Sequence, residues 1–281
     1  MGGGKPPVLG QEANFDPEVL LAVAPDVEQI YMFQTSVVAP QKQLPVLLEA
    51  ALNPAHTDGE LVHTISISFA ECEASWDPAD VELANVQLRR AAELGVKVFV
   101  SAGDAGSLGS YRVPPETGEV HCVPWPVPHD PPQGVKLAVS FPPTSPWVTA
   151  VGGTELAING RIPESGSRDG GTVTNEVVWN EQATDGKGTW VGAGGLSTIF
   201  SVADAPWQEH LGLTGGRHLP DVSALAGSPE YPGGGIGTSG AAPMTAGAMM
   251  VVDSYLIGHG VEPPGFLNPV LYELAQTEYE R

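Results

Sequence analysis

The segment 235–243, GIGTSGAAP, contains the residue type best suited to nucleophilic chemistry. Ser239 stands there in a glycine-rich turn, and an apolar stretch typical of a buried helix follows it. Such a turn lets the backbone approach a substrate closely, and the beginning of a helix carries partial positive charge. Ser239 is therefore a candidate nucleophile, and the alternative is that its hydroxyl only caps the helix.

Gly235, Gly237 and Gly240 also match the G-x-G-x-x-G fingerprint of dinucleotide-binding proteins. That fingerprint needs a strand before it and an acidic residue about 20 positions after it. Residues 228–232, SPEYP, do not have the pattern of a strand, and the nearest acidic residue that follows is Asp253. The glycines alone therefore give weak support for a dinucleotide site.

A nucleophilic serine also needs a base that removes its proton. The chain has seven histidines, but none of them stands in the His-Gly-Thr context that a subtilisin-like hydrolase requires. Either the base is a residue of another type, or Ser239 is not catalytic.

The elements that would position Ser239 have the order of a parallel sheet. The predicted elements are a strand over 61–69, a helix over 81–94, a strand over 96–100 and, after Pro243, a helix over 244–257 that is buried on most sides. Strand, helix, Gly95 and strand in this order are typical of a βαβ unit. Ligands bind at the carboxyl ends of such strands, and Asp104 follows the second strand at that end. Residues 107–143, rich in Pro and Gly, are predicted to be irregular.

The composition indicates a globular chain and limits its partners. Of the 281 residues 42% are hydrophobic, so a core can form although Gly (35) and Pro (27) are abundant. Lys and Arg number 12 against 33 Asp and Glu, which gives a net charge of −21. This charge would repel nucleic acid and anionic membrane surfaces, so we expect neither as a partner. The shortage of basic residues suits a protein that works in acid, where most carboxylates are neutral.

Nine segments carry motifs of one known family, in that family's order. They are 66–73 (SISFAECE), 101–106 (SAGDAG), 141–154 (FPPTSPWVTAVGGT), 176–180 (EVVWN), 194–197 (GGLS), 206–208 (PWQ), 220–224 (PDVSA), 237–243 (GTSGAAP) and 265–269 (GFLNP). This set resembles the sedolisins, the serine-carboxyl peptidases, from about residue 12 to about residue 272. The resemblance implies an α/β fold: a subtilisin-like single domain with a central parallel β-sheet, flanking helices and long Gly/Pro-rich loops.

The resemblance implies an acid-active endopeptidase that forms an acyl-enzyme on Ser239. Glu12 would be the general base, and Asp16 would hold Glu12 in place. Asp104, in its protonated form, would donate a hydrogen bond to the oxyanion together with the Ser239 backbone N–H. Because a carboxylate is a working base only in acid, activity is expected between about pH 3 and 5.

Glu12 and Asp16 are four residues apart, a spacing that places both carboxylates on one face of a helix. Pro17 fits the first turn of a helix but not its interior. If Pro17 is the first helical residue, Glu12 lies outside the helix. If the helix begins two or three residues earlier, the pair is kept. Helix capping is the alternative role of both acids, and Glu18 is the alternative carboxylate.

Other roles also follow from the resemblance. Ser68, Phe69, Ala70 and Gly103 would line the cleft and pair with the substrate backbone, and core packing is the alternative for Phe69. Asp221 is expected to be structural rather than catalytic. Two cysteines allow at most one disulfide. The resemblance to secreted members implies a Cys72–Cys122 bond, and two buried thiols are the alternative.

The sequence lacks two features of the family. Neither a first strand before Glu12 nor an Asp/Gly-rich calcium loop near the end is recognisable, so we expect no metal and no cofactor. Residues 1–281 are expected to form a single catalytic domain, with residues 1–10 flexible. A signal peptide is not recognisable either, so the chain is cytoplasmic or a piece of a longer secreted precursor. The family favours secretion or another acidic extracytoplasmic compartment.

The expected partners are a peptide or unfolded protein substrate and a propeptide or missing N-terminal segment. Two alternatives stay open at this point. One is a non-catalytic peptide-binding pseudoenzyme, or an incomplete fragment, on the same scaffold. The other is a neutral subtilisin-like hydrolase, which would need a histidine base.

Overall fold

The computed structural model describes residues 11–35, 40–111, 122–124, 126–131, 135–163, 171–183, 186, 188–231 and 235–278. The helices are α1 (Gln11–Val23), α2 (Pro40–Ala51), α3 (Pro78–Glu93), α4 (Thr238–Gly258) and α5 (Asn268–Glu278). The strands are β1 (Thr64–Ile67), β2 (Glu71–Cys72), β3 (Lys97–Ser101), β4 (Ser110–Tyr111), β5 (Val123–Pro124), β6 (Val127–Pro128), β7 (Ser140–Phe141), β8 (Thr149–Ile158), β9 (Val173–Val178), β10 (Asn180–Gln182), β11 (Gly188–Val191), β12 (Gly195–Ser201), β13 (Gly216–Leu219) and β14 (Val222–Leu225). Residues 1–10, expected to be flexible, lie outside the described ranges.

The central sheet has the strand order β1-β3-β8-β14, and all neighbours in this order are parallel. Strand β9 adds an antiparallel partner to β8. Parallel neighbours need a crossover, and α3 supplies the one between β1 and β3. The predicted α/β fold with a central parallel sheet is confirmed. The extent of the domain over residues 1–281 stays a prediction.

Strand β3 shows how the sheet separates two cores. Val98 and Val100 pack into a cluster with residues of α2 and α3, whereas Phe99 packs with the buried alanines of α4. Successive side chains of a strand point to opposite faces, so the helices lie on both faces of the sheet. Lys97 faces the same side as Phe99 and forms an ion pair of 2.8 Å with Asp253 of α4.

The predicted βαβ unit is confirmed, and its boundaries shift by a few residues. Strand β1 is shorter than the predicted 61–69. Helix α3 begins three residues before the predicted start, because Asp77 caps it by accepting a hydrogen bond from the Ala79 N–H, and Pro78 takes the first helical position. In the described part of 107–143, the only regular elements are the two-residue strands β4 to β7.

Two expectations for α4 are wrong. The helix begins at Thr238, six residues before the predicted start, and Pro243 lies inside it. Only its first half is buried, since Val251, Val252, Tyr255 and Ile257 are 43–64% exposed. Apolar composition predicted the helix correctly, but it did not predict which half the sheet covers.

Candidate active site

Ser239 is the second residue of α4 and is half-buried. The first N–H groups of a helix have no partner within the helix, so they are available to an anion. Gly237 caps the helix with φ +115°, a conformation that favours glycine. A Cβ atom at Gly237 would also lie 3.0 Å from Asp104 Oδ2. The glycine of the turn therefore lets the helix start approach Asp104 closely.

Asp104 lies in the loop after β3 and is 9% exposed. The Thr238 backbone N–H and its hydroxyl both donate to Asp104 Oδ1, at 2.9 and 2.7 Å. Asp104 thus directly contacts the residue that precedes Ser239. In the sequence, Thr238 belongs to the motif at 237–243, but the motif does not predict its contact with Asp104.

The carbonyl of Ser239 explains how α4 accommodates Pro243. Proline lacks an N–H, so Pro243 cannot donate to the carbonyl four residues earlier, which is that of Ser239. The Ser68 hydroxyl, from the segment after β1, donates to this carbonyl instead, at 3.0 Å. Ser68, which is predicted to line the cleft, therefore lies beside Ser239.

Helix α1 carries Glu12 and Asp16 and packs against α4. Phe15 meets Tyr231 in an edge-to-face contact with ring centroids 5.5 Å apart, and a Cβ at Gly240 would lie 3.0 Å from the Phe15 ring. Asp16 is half-buried. The side chain of Glu12 lies outside what the structure describes, so its role as base stays a prediction.

Pro17 lies in the interior of α1, because the helix begins at Gln11. Neither expected arrangement around Pro17 is correct, since it is neither the first helical residue nor in the first turn. Glu12 and Asp16 still share one helix at the predicted spacing. Packing of Phe15 on α4 stabilises a helix that proline alone would disfavour.

The other residues that are predicted to line the cleft have contacts within the protein. Phe69 packs edge-to-face against Trp76, with centroids 6.1 Å apart, and belongs to the core cluster of α2 and α3. Gly103 donates its N–H to the Thr238 hydroxyl, and its carbonyl accepts from the Ala193 N–H. Ala70 is half-buried. Pairing of these residues with a substrate stays a prediction, and the Gly103 N–H already has an internal acceptor.

Glu73 holds the cleft segment to strand β12, a role that sequence reasoning missed. It is 4% exposed and accepts hydrogen bonds from the Ser197 hydroxyl and from the Thr198 N–H and hydroxyl. The adjacent Cys72 forms a disulfide with Cys122, and both cysteines are buried. The hydrogen bonds of Glu73 and the disulfide of Cys72 therefore both join this segment to distant parts of the chain. The signal for Glu73 was its place in the motif SISFAECE, next to a cysteine.

Asp221, directly before β14, carries another buried carboxylate. Asp221 Oδ2 accepts hydrogen bonds from Arg217, at 2.6 Å, and from the Ala150 N–H, and both side chains of the ion pair are fully buried. Asp221 Oδ1 accepts from the Tyr272 hydroxyl of α5. Arg217 also donates to two carbonyls, those of Pro143 and Val148. These partners give Asp221 a structural position that joins β13, β8 and α5.

Burial also raises the pKa of three side chains. Burial raises the pKa of Tyr231, whose hydroxyl donates to the Leu225 carbonyl beside α1. Burial and the Asp221 carboxylate raise the pKa of Tyr272. Burial and the neighbouring Glu181 carboxylate raise the pKa of Glu155. Both phenols therefore stay neutral donors, and the surroundings of Glu155 favour its protonated form.

Among the described residues, no group of three or more His, Cys, Asp or Glu side chains is arranged to hold a metal ion. The described helices also include none that is long and apolar enough to cross a membrane.

Known proteins resemble this chain in sequence and in fold. Kumamolisin from Bacillus sp. (strain MN-32) is 30% identical over an alignment of 280 positions that covers 94% of this chain. The chain is similar to sedolisin-family peptidases over nearly its whole length. Tripeptidyl-peptidase 1 from Rattus norvegicus is 25% identical over 286 aligned positions, which again cover 94% of this chain. No protein-family model matches the sequence.

A solved structure supports the sedolisin fold independently. Pseudomonas sedolisin, a serine-carboxyl proteinase, superimposes with a TM-score of 0.70 at 24% identity, over 100% of this chain and 70% of that one. This chain spans only 42% of kumamolisin and 43% of the rat tripeptidyl-peptidase. The structural similarity therefore shows the fold.

Proposed function

We propose that this chain is an acid-active serine-carboxyl endopeptidase. The observation that carries the proposal is the contact between Asp104 and the start of α4, where Thr238 donates twice to Asp104 Oδ1 and Ser239 is the next residue. A carboxyl group and a serine N–H at one helix start supply the two donors of an oxyanion hole. The similarity to kumamolisin supports the same assignment.

In the proposed reaction, Ser239 Oγ attacks the carbonyl carbon of the scissile peptide bond and its proton passes to the Glu12 carboxylate. The oxyanion accepts hydrogen bonds from the Asp104 carboxyl and the Ser239 N–H. The C–N bond then breaks, and Glu12 returns the proton to the leaving amine. Water, deprotonated by Glu12, attacks the acyl-enzyme and releases the acid, and Ser239 regains its proton. Asp16 orients Glu12 throughout.

The proposed pH range follows from the opposite needs of two carboxyl groups. Glu12 must be ionised to accept a proton, whereas Asp104 must be protonated to donate one. Both conditions hold together only in acid, near the ordinary carboxyl range of about pH 4. The scarcity of Lys and Arg, 12 against 33 acidic residues, is consistent with work at low pH.

The proposed substrate is an extended peptide or an unfolded protein that binds along Ser68, Phe69 and Ala70. A single catalytic domain over residues 1–281 would act in a secreted or other acidic extracytoplasmic compartment. A propeptide or an N-terminal segment is the proposed second partner. No nucleic acid or membrane is proposed as a partner.

Hydrolysis of a denatured protein from about pH 3 to about pH 8 tests the proposal. The wild-type chain is compared with Ser239→Ala and with Ser254→Ala, which removes an exposed hydroxyl from the other half of α4. We expect acid activity that Ser239→Ala abolishes and Ser254→Ala keeps. Mass spectrometry of the products distinguishes internal cleavage from release of tripeptides.

Three outcomes would overturn the proposal. Acid activity that survives Ser239→Ala would exclude Ser239 as the nucleophile, and full activity near pH 7 would favour a neutral hydrolase. Peptide binding without hydrolysis by a folded chain would indicate the pseudoenzyme.

A further inference from the structure

We propose that Thr238 is a positioning residue that determines which oxygen of Asp104 carries the proton in the oxyanion hole. Thr238 occupies Oδ1, so the proton resides on Oδ2. This inference rests on the proposed peptidase function and adds a residue to it.

Two hydrogen bonds set the direction of the Thr238 hydroxyl. The Gly103 N–H donates to Thr238 Oγ1 at 3.1 Å, and Oγ1 lies 2.7 Å from Asp104 Oδ1. Because the Gly103 N–H takes up an acceptor site on Oγ1, the hydroxyl hydrogen points to Oδ1. The Thr238 N–H donates to the same oxygen at 2.9 Å. Oδ1 therefore accepts two hydrogen bonds.

An oxygen that accepts two hydrogen bonds is the poorer site for a proton, since a proton there would meet two donors. In neutral Asp104, Oδ1 is thus the carbonyl oxygen and Oδ2 the hydroxyl. Gly237 keeps space beside that second oxygen, because a Cβ at this position would lie 3.0 Å from Oδ2. The Oδ2 hydroxyl of neutral Asp104 therefore has one orientation before any substrate binds.

Burial makes the role of Thr238 hard to replace. Thr238 is 1% exposed, so bulk water does not take the place of its hydroxyl. Its loss would free Asp104 to rotate and to place its proton on either oxygen. Catalysis by an oxyanion donor depends on such preorganisation, so the turnover rate would fall and substrate binding would not.

The same hydrogen bonds influence how Asp104 ionises. Donors to a carboxylate oxygen favour its ionised form, so their removal keeps the group protonated to higher pH. The Thr238 substitutions do not alter the other charged residues of the surrounding elements. They are Glu12, Asp16 and Glu18 on α1, Lys97 on β3, Glu155 on β8 and Asp253 on α4.

The test compares Thr238→Val, which removes the hydroxyl at nearly constant shape, with Thr238→Ser, which keeps it. For the full chain, kcat and KM on a peptide substrate are measured across the acid range, and thermal melting reports folding. We expect Thr238→Val to lower kcat about tenfold or more with KM within about twofold, and to move the upper pH limit of activity upward. We expect Thr238→Ser to stay within about threefold of wild type.

Several results would overturn the inference. A folded Thr238→Val with wild-type kcat and pH limit would do so, and so would a change confined to KM. If Thr238→Val does not fold, Thr238→Ser still decides, because a folded serine variant with kcat reduced tenfold contradicts the role of the hydroxyl. Ser239→Ala, measured in parallel, separates the two proposals, since activity that survives it removes the peptidase mechanism instead.

Discussion

Asp104 and Asp221 are both buried aspartates at the ends of central strands, but their partners differ. Asp221 is bound by the Arg217 guanidinium, by the Ala150 N–H and by the Tyr272 hydroxyl. Asp104 Oδ1 is bound by the N–H and the hydroxyl of Thr238, which are neutral donors. A guanidinium strongly favours the carboxylate, whereas neutral donors leave the acid form accessible.

This difference separates a structural carboxylate from one that is suited to chemistry. Asp221 joins three elements and forms a buried ion pair with Arg217. Asp104 can act as a hydrogen-bond donor only when it is neutral. The chain has only 12 Lys and Arg residues, and one of them, Arg217, is fully buried beside Asp221. The following predictions test this contrast, from the largest expected effect to the smallest.

The same substitution should destabilise the protein much more at Asp221 than at Asp104. Asp221→Asn leaves Arg217 buried without its counter-charge and should lower the free energy of unfolding by about 3–5 kcal/mol. Asp104→Asn keeps an oxygen acceptor for Thr238 and should cost less than about 1 kcal/mol. Urea unfolding at pH 5 measures both. Equal losses at the two positions would remove the contrast.

Removal of the Asp104 side chain should affect activity. Asp104→Ala deletes one oxyanion donor and should lower kcat about 10²- to 10³-fold. Asp104→Asn is the matched control, because its amide N–H can donate where the carboxyl hydroxyl would. We expect Asn to keep more activity than Ala, with less dependence on acid, in initial-rate measurements. An alanine variant as active as the asparagine variant would contradict an oxyanion role.

The disulfide tests how firmly the cleft segment beside the site is held. The double variant Cys72→Ala, Cys122→Ala opens a link across a sequence separation of 50 residues. It should lose about 2–4 kcal/mol of stability, because its unfolded chain is less constrained. Thermal melting with and without reductant measures the loss. Wild type should be sensitive to reductant and the double variant insensitive, and equal sensitivity would contradict the link.

Glu155 differs from both aspartates, because its charged neighbour is the carboxylate of Glu181. Burial and Glu181 raise the pKa of Glu155 in the folded chain, so its contribution to stability is present in acid and is lost as the pH rises through the folded-state value. Glu155→Gln should therefore raise Tm at pH 7 by less than about 4 °C and leave Tm in acid unchanged. A gain in acid, or a loss at pH 7, would show that the pair is not repulsive.

The sequence alone was sufficient for the α/β class and for most of the βαβ unit. The apolar periodicity of 81–94, the glycine at 95 and the β-branched run at 96–100 are local signals, and the structure follows them. Local motifs also identified Ser239 and Asp104 as candidates. Short-range patterns suffice here because the period of the apolar residues distinguishes a helix from a strand, and glycine marks where the helix ends.

Tertiary contacts decided the rest. Proline is disfavoured inside a helix, so the sequence predicts that this helix begins after Pro243. In the structure the Ser239 carbonyl that this proline leaves unbonded is bound by Ser68, from 171 positions earlier. Helix α1 continues through Pro17 where Phe15 packs beside α4. The role of Thr238 likewise depends on a loop 134 residues away. Local propensity cannot predict such partners, because each of these bonds forms only after the sheet brings distant segments together.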